Sequence, residues 1–366
     1  MSVFHPLESQ NPYPQAVTLT IDLQPTPNGE AWGIRAIFDQ QEQWLSLLSG
    51  RIKLVIRGGI LRLQGQGGML TLNPDLPPSV HQLHCSPSEG RWQINFSGDF
   101  EPFVFGLGSL SPTTSPNPWQ ATFTITPADL AIADSQGLWP PDLFPNQLAI
   151  ADRLIAHFLV HDWFPPVLSW HQWAIDPLPT WQPLHTQADV DILRKKEMIL
   201  GDRLQLIAHA PTADLLTLAQ LVGLDPQRDL AGGKFVGANL SGIDLSGANL
   251  ANSNFRGAIL TDGDLSGANL ANSNFRGADL SGAYLENANL TKADFRKSSL
   301  ALANLIGADL TEANLQSTTL HSANLSAANV HQTQLGDNPG LTVDQQTVLI
   351  ENGAKLMPAS DPEMLS

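Results

Sequence analysis

Residues Asp244–Ala258 read DLSGANLANSNFRGA, and the same stretch returns unchanged as Asp264–Ala278, 20 residues later. Within and around it, a large apolar residue falls at every fifth position from Phe235 to Leu335, through 21 consecutive pentapeptides. The residue two before each of these centres is Ala at 13 of the 21 positions and otherwise Ser, Thr or Gly, with Ile243 the one bulky exception. A period of five matches neither the 3.6 of a helix nor the 2 of a strand. The segment is therefore read as a repeat architecture before any other feature of the chain is weighed.

The phenylalanine centres Phe235, Phe255, Phe275 and Phe295 also lie 20 residues apart. Four pentapeptides per coil would stack each Phe on the next and place the duplicated stretch on its own copy. The centre and the small residue two before it then point inward, one filling the core and the other letting the walls approach. Stacked coils would bond like neighbouring strands, about 4.8 Å apart, so five coils make a rod about 25 Å long.

Here the chain resembles the pentapeptide-repeat family, whose A-(D/N)-L pattern appears as Ala238-Asn239-Leu240, Ala278-Asp279-Leu280 and Ala308-Asp309-Leu310. The position before the centre is Asn or Asp in 15 of the 21 units. The resemblance covers residues 233–336 and implies a right-handed quadrilateral β-helix. It implies no catalytic activity, because family members with known roles mostly act by binding other proteins.

Composition bounds the remainder. A chain of 366 residues is long enough for two or three units. Its hydrophobic fraction of 42% and charged fraction of 15% describe a folded protein. No apolar run is long enough for a membrane span, the start (MSVFHPLESQNPYP) shows no secretory signal, and Cys85 is the only cysteine. These features predict a cytoplasmic protein. The net charge of −16 argues against nucleic acid as a partner. Residues 234–335 carry 6 basic and 8 acidic side chains, a net of only −2.

The expected architecture is mainly β: an antiparallel sandwich-like domain (1–126), a Pro- and Trp-rich bridge with one helix (127–186), a helical segment capping the solenoid (187–232), the pentapeptide β-helix (233–336) and a C-terminal capping helix with tail (337–366). In the first domain, Val17, Leu19, Ile21 and Leu23 alternate with polar residues in strand fashion. Further strands are predicted near residues 32–38, 52–56, 60–64, 69–72, 80–85, 92–97, 103–107 and 121–125. Gly58-Gly59 reads as a two-residue hairpin turn joining 52–56 to 60–64. Helices are predicted over 147–161, 187–208 and 213–222, the last with Thr212 as N-cap. Thr342-Val343-Asp344-Gln345 has capping-box spacing, and Gly353 could end the helix that it starts.

Candidate sites are few. His157 and His161, with Asp162 beside them, and the His81/His84/Cys85 cluster have spacings a metal could use, but surface histidines are the preferred reading. No metal, cofactor or catalytic constellation is assigned. Trp163, Trp170, Trp173 and Trp181 could form a partner-binding or sugar-stacking platform, or anchor the bridge by burial. Arg256, Arg276 and Arg296 occupy equivalent positions one coil apart, with Lys297 next to the third, and form a candidate docking stripe. Asp279 and Asp294 are their expected neighbours. The function expected is a non-catalytic interaction or scaffold protein with an unidentified protein partner, a homodimer being one option. The alternatives are a DNA-mimicking regulator of DNA gyrase, and a ligand-binding, carbohydrate-binding or enzymatic N-terminal domain with an appended solenoid.

Overall fold

A computed structural model describes residues 17–25, 32–40, 44–56, 58–64, 70–72, 80–86, 91–96, 103–110, 119–139, 142–163, 167–173 and 187–358. It divides into two compact units. One comprises Met1–Leu138 with Ala156–Gly201, the other Trp139–Ile155 with Asp202–Ser366.

The first unit is antiparallel β structure. Its strands are β1 (Val17–Pro25), β2 (Trp32–Gln40), β3 (Trp44–Leu47), β4 (Gly50–Ile56), β5 (Gly58–Gln64), β6 (Leu70–Leu72), β7 (Val80–Ser86), β8 (Arg91–Phe96), β9 (Phe103–Leu110), β10 (Trp119–Thr124), β11 (Leu130–Gln136) and β12 (Val167–Trp173). They form three sheets with orders β1-β2-β9-β6, β12-β10-β5-β8-β7 and β11-β4-β3. β3 and β4 are joined by a two-residue turn in which Leu48 takes a positive φ of 52°.

Two readings of this unit are corrected. Gly58-Gly59 is not a hairpin turn, because both glycines lie inside β5, opposite Asn95 and Ile94 of β8. β4 pairs instead with β3 and β11. Part of the Trp-rich bridge is also regular structure. β12 runs through it and pairs with β10, bringing Trp170 opposite Thr122 and Trp173 opposite Trp119. β11 and β12 lie in the segment read from sequence as bridge, because Pro and Trp density masked their short apolar alternation.

In the second unit, the N–H of each repeat centre from Phe235 to Leu320 bonds to a carbonyl one coil onward: Phe235 to Asn254 (2.8 Å), Leu240 to Ile259 (2.7 Å), Leu245 to Asp264 (2.8 Å) and Leu250 to Asn269 (2.8 Å). Isolated parallel bridges join residues 20 apart, from Lys234–Asn254 to Asn314–Gln334. Four pentapeptides therefore close one coil. The Phe rings stack with centroids 4.8, 4.9 and 4.7 Å apart, the last two pairs within 3° of parallel. Inward Ser and Thr residues are satisfied inside the core; Ser273 Oγ donates to the Leu250 carbonyl at 2.9 Å and Thr318 Oγ1 to that of Phe295 at 2.7 Å. Ile243 fits because it lies in the first coil with only Gly263 stacked above it.

The corner chemistry explains the rest of the repeat. Two residues after each centre, from Gly237 to Asp337, the backbone takes the left-handed region, which glycine occupies without penalty. At Lys292, Lys297, Leu302 and Glu312 a side chain is carried there regardless. The Asn or Asp before the centre turns the corner from outside. Its Oδ1 accepts from the N–H two residues on, as in Asn239 to Ser241 (3.2 Å), Asn274 to Arg276 (3.0 Å) and Asp309 to Thr311 (3.0 Å). Thus Asn and Asp recur there because the turn needs a short side-chain acceptor.

Both ends of the coil stack are closed. Helix α1 (Pro145–Phe158) enters this unit through its residues up to Ile155. Asn146 Nδ2 donates to the carbonyls of Ala213 (2.7 Å) and Asn239 (3.1 Å), and Arg153 Nη1 to that of Ala231 (2.8 Å). Ala231 and Asn239 belong to the first coil, which has no preceding coil to use these carbonyls. Helices α2 (Gln187–Ala208) and α3 (Leu215–Leu221) follow, and α3 buries Leu215, Leu218 and Ala219. Its N-cap is Asp214, which accepts from Thr217 N, rather than Thr212, whose Oγ1 accepts from Asp214 N.

At the other end α4 (Val343–Glu351) starts on the Thr342/Gln345 capping box and buries Leu349, while Val343, Val348 and Ile350 stay exposed. The last coil is covered mainly by the residues just after α4. β13 (Gln334–Leu335) pairs in parallel with β14 (Lys355–Leu356), and Gln332 N donates to Gly353 O at 2.8 Å. Just before α4, Gly340 packs directly on the backbone of Leu320 and His321, where a Cβ would collide.

Candidate functional site

The four faces of the coil can be followed by their centres. Face one carries Phe235, Phe255, Phe275, Phe295 and Leu315; face two Leu240 to Leu320; face three Leu245 to Leu325; face four Leu250 to Val330. The net charge of −2 over residues 234–335 hides a strong segregation between them. Face one bears Lys234, Arg256, Arg276, Arg296 and Lys297 against a single acid, Asp294. Face three, across the coil, bears Asp244, Asp264 and Glu286 with no basic residue, and face two bears Asp262 and Asp279. Face four has Lys292, Asp309 and Glu312.

The arginine column is held by the same corner bonds as the rest of the repeat. The N–H groups of Arg256, Arg276 and Arg296 donate to Oδ1 of Asn254 (3.2 Å), Asn274 (3.0 Å) and Asp294 (3.1 Å). Gly257 N bonds to Arg276 O and Gly277 N to Arg296 O, so the three lie one coil apart. Arg296 is engaged, with Nε 2.9 Å from Asp294 Oδ1 and Nη2 2.6 Å from Oδ2. That bond holds its guanidinium above its ordinary pKa. Lys292 pairs with Glu312 at 3.5 Å. Lys234, Arg256, Arg276 and Lys297 are exposed and make no ion pair among the described residues. Asp279 is not a neighbour of the column. It lies on face two, where its Oδ1 accepts from Ser281 N (3.0 Å) and Oγ (2.6 Å).

Two like charges about 5 Å apart repel by about 0.8 kcal/mol even in water, and the cost rises where water is excluded. The Arg256/Arg276 pair is therefore a place where an incoming anion gains. Position within the 20-residue coil was the signal available in the sequence: sorting charged residues by that index separates the basic face from the others.

The remaining candidates lie only in part within the described residues. The rings of His157 and His161 lie 5.7 Å apart across the end of α1 and a π-helical turn (Leu159–Trp163). Asp162 beside them is taken by Lys196 Nζ at 2.8 Å. Among the described residues there is no group of three or more His, Cys, Asp or Glu placed to hold a metal. His81, His84 and Cys85 fall in β7, which has a register shift between Val80 and Gln82. Their side chains, and those of Trp163, Trp170 and Trp173, lie outside the described ones, as does Trp181 altogether.

Coil period, stacked Phe ladder and corner acceptors together define a four-sided pentapeptide solenoid. The family model for pentapeptide repeats matches residues 229–262, 264–301 and 303–337, in 8 copies. Through this segment the chain belongs to the pentapeptide-repeat family. Solved structures similar to it include the pentapeptide repeat protein Rfr23 from the cyanobacterium Cyanothece 51142, at 28% identity over 26% of this chain and 85% of that one, with a TM-score of 0.23. Another is a pentapeptide repeat protein of the Arabidopsis thaliana thylakoid lumen, at 32% identity over 34% and 84%, with a TM-score of 0.22. A third is QnrB1, a plasmid-mediated fluoroquinolone resistance protein, at 19% identity over 35% and 81%, with a TM-score of 0.15. No curated protein sequence matches the chain at a significant level. No helix among the described residues is long and apolar enough to cross a membrane.

Proposed function

We propose that this protein is a non-catalytic docking protein, whose solenoid presents face one to an acidic stretch of a polypeptide partner. The observation that carries the reading is charge segregation: five basic residues share one face of a rod in a chain of net charge −16. Arg256 and Arg276 provide two unpaired forks at one-coil spacing, suited to carboxylates. The coil itself is rigid, with its interior filled by apolar centres and its polar side chains spent on corner bonds. This leaves the faces as binding surfaces.

A rod that mimics DNA would carry acids along its length. Here only Asp244, Asp264 and Glu286 line face three, and face one has the opposite sign. That distribution favours docking over mimicry, and the acidic balance of the whole chain disfavours nucleic acid on face one.

The test is affinity capture from host lysate with the intact chain, comparing wild type, the Arg256→Gln/Arg276→Gln double variant and Arg296→Gln. The reading expects an acidic protein retained by wild type, lost by the double variant and largely kept by Arg296→Gln, since Asp294 already occupies that guanidinium. Equal retention by all three would contradict it.

A further inference from the structure

We infer that face three of one copy is itself an acidic partner for face one of another, so that the protein associates side by side through its rods in a salt-dependent manner. The inference rests on the docking reading of face one and names a second copy of this chain as one occupant. Three observations carry it.

The first is sign and separation. Asp244, Asp264 and Glu286 occupy successive coils of face three with no basic residue among them, while Arg256, Arg276 and Lys297 occupy successive coils of face one. The second is pitch. Both rows are built on the same coil, so their spacing is identical at about 4.8 Å per coil, and a match at one pair is repeated at the next.

The third is an apolar cluster that the fold does not require. Tyr284 and Ile306 on face three, and Leu302 on the corner leading to it, are 51%, 38% and 69% exposed. Leu302 also carries a positive φ of 62°, where most of the earlier corners have glycine. Exposure and backbone strain at one leucine are two costs without a return inside the coil. Burial against a second rod supplies one, and Val236, 40% exposed, offers an apolar contact on face one.

The two faces lie on opposite sides of one rod, so the contact is heterologous and continues from copy to copy. A face about 25 Å long and at most about 17 Å wide covers roughly 400 Å², short of the roughly 800 Å² per partner of a standard stable interface. The association is therefore weak and seen only at high protein concentration. The net charge of −16 on each copy opposes the contact and weakens it further.

Sedimentation velocity on the full chain tests this, from about 5 to 500 µM in low salt and in about 0.5 M salt, where the screening length shrinks to a few ångströms. The expected result is a sedimentation coefficient that rises with concentration in low salt only. Asp244→Asn/Asp264→Asn, which keeps the corner acceptors, and Arg256→Glu/Arg276→Glu should each remain monomeric. Mixing Arg256→Glu/Arg276→Glu with Ser246→Lys/Ser266→Lys/Glu286→Lys should restore association, because the unaltered acidic face three of the former meets the unaltered basic face one of the latter, and the two exchanged faces match as well. A wild-type chain that is monomeric throughout, association insensitive to these substitutions, or no restoration on mixing would overturn the inference. Capture of an acidic protein through Arg256 and Arg276 by a chain that stays monomeric would leave the docking reading standing while this one fails.

Discussion

Arg153, fully buried, donates from Nη1 to the carbonyl of Ala231 at 2.8 Å, closing an edge of the first coil from a helix almost eighty residues earlier in the chain. Its charge is balanced by Asp152, whose Oδ2 accepts from its Nε at 3.0 Å. A solenoid end exposes strand-like carbonyls with no coil to use them, and such edges invite association or fraying. Arg153 and Asn146, seven residues apart, lie two turns apart on one side of α1 and take two of these carbonyls.

Replacing Arg153 by Met keeps volume but leaves the Asp152 carboxylate and the Ala231 carbonyl buried without their partner. The expected loss is about 3–5 kcal/mol of stability, measured by chemical denaturation. The double variant Asp152→Asn/Arg153→Met should recover part of it. A cost below about 1 kcal/mol for the single change would show that the cap does not depend on this pair.

The corner bonds make a graded prediction. Asn274→Ala removes the acceptor for Arg276 N, while Asn274→Asp retains one. The first should cost about 1 kcal/mol and the second much less, by thermal or denaturant unfolding. Similar losses for both would mean that the side chain, and not its acceptor oxygen, matters there.

Leu302→Gly should stabilise the solenoid by about 1 kcal/mol, because the left-handed corner costs leucine about that much and its side chain is largely exposed. Conversely, Gly267→Ala has room for its Cβ but must adopt a φ of 66°, and should lose about the same amount. The same Leu302→Gly variant should weaken self-association, so greater stability would accompany a weaker contact.

The repeat unit was legible from sequence because one residue type per position answers one demand: a centre to fill the coil, a small residue to let walls approach, an Asn or Asp to bond the corner. The Phe ladder followed from arithmetic on Phe235, Phe255, Phe275 and Phe295. Asn146 and Arg153 were not legible, because a cap is specified by which carbonyls are left over, and these are far away in sequence. The Gly58-Gly59 misreading has a related cause. Two glycines fit a tight turn locally, but the antiparallel neighbours of β5 come from residues 91–96 and 119–124, which no local pattern announces. The charge of face one was present in the sequence but was obscured by summing residues that point in four directions.

Asp129 gives a pH prediction in the first unit. It is buried, and desolvation pushes its carboxyl above the ordinary 3.8 despite the hydrogen bonds from Thr126 N and Oγ1 that favour the ionised form. A carboxyl raised on folding contributes its full stabilisation below about the unfolded value, and loses it as pH rises through the folded one. Relative to Asp129→Asn, wild type should lose stability as pH rises above about 4 and through the raised folded value. A difference between the two that is flat with pH, or that rises, would contradict the burial argument.

The proposed function is docking of acidic polypeptide on Arg256 and Arg276 of face one. Its most direct test is fluorescence anisotropy of a labelled glutamate-rich peptide titrated with the full chain at low and moderate salt. Binding should weaken with salt and fall at least tenfold in Arg256→Gln/Arg276→Gln, about 1.4 kcal/mol or more. Asp244→Asn/Asp264→Asn should leave it intact. No binding at low salt, or equal binding by wild type and the arginine variant, would contradict the account.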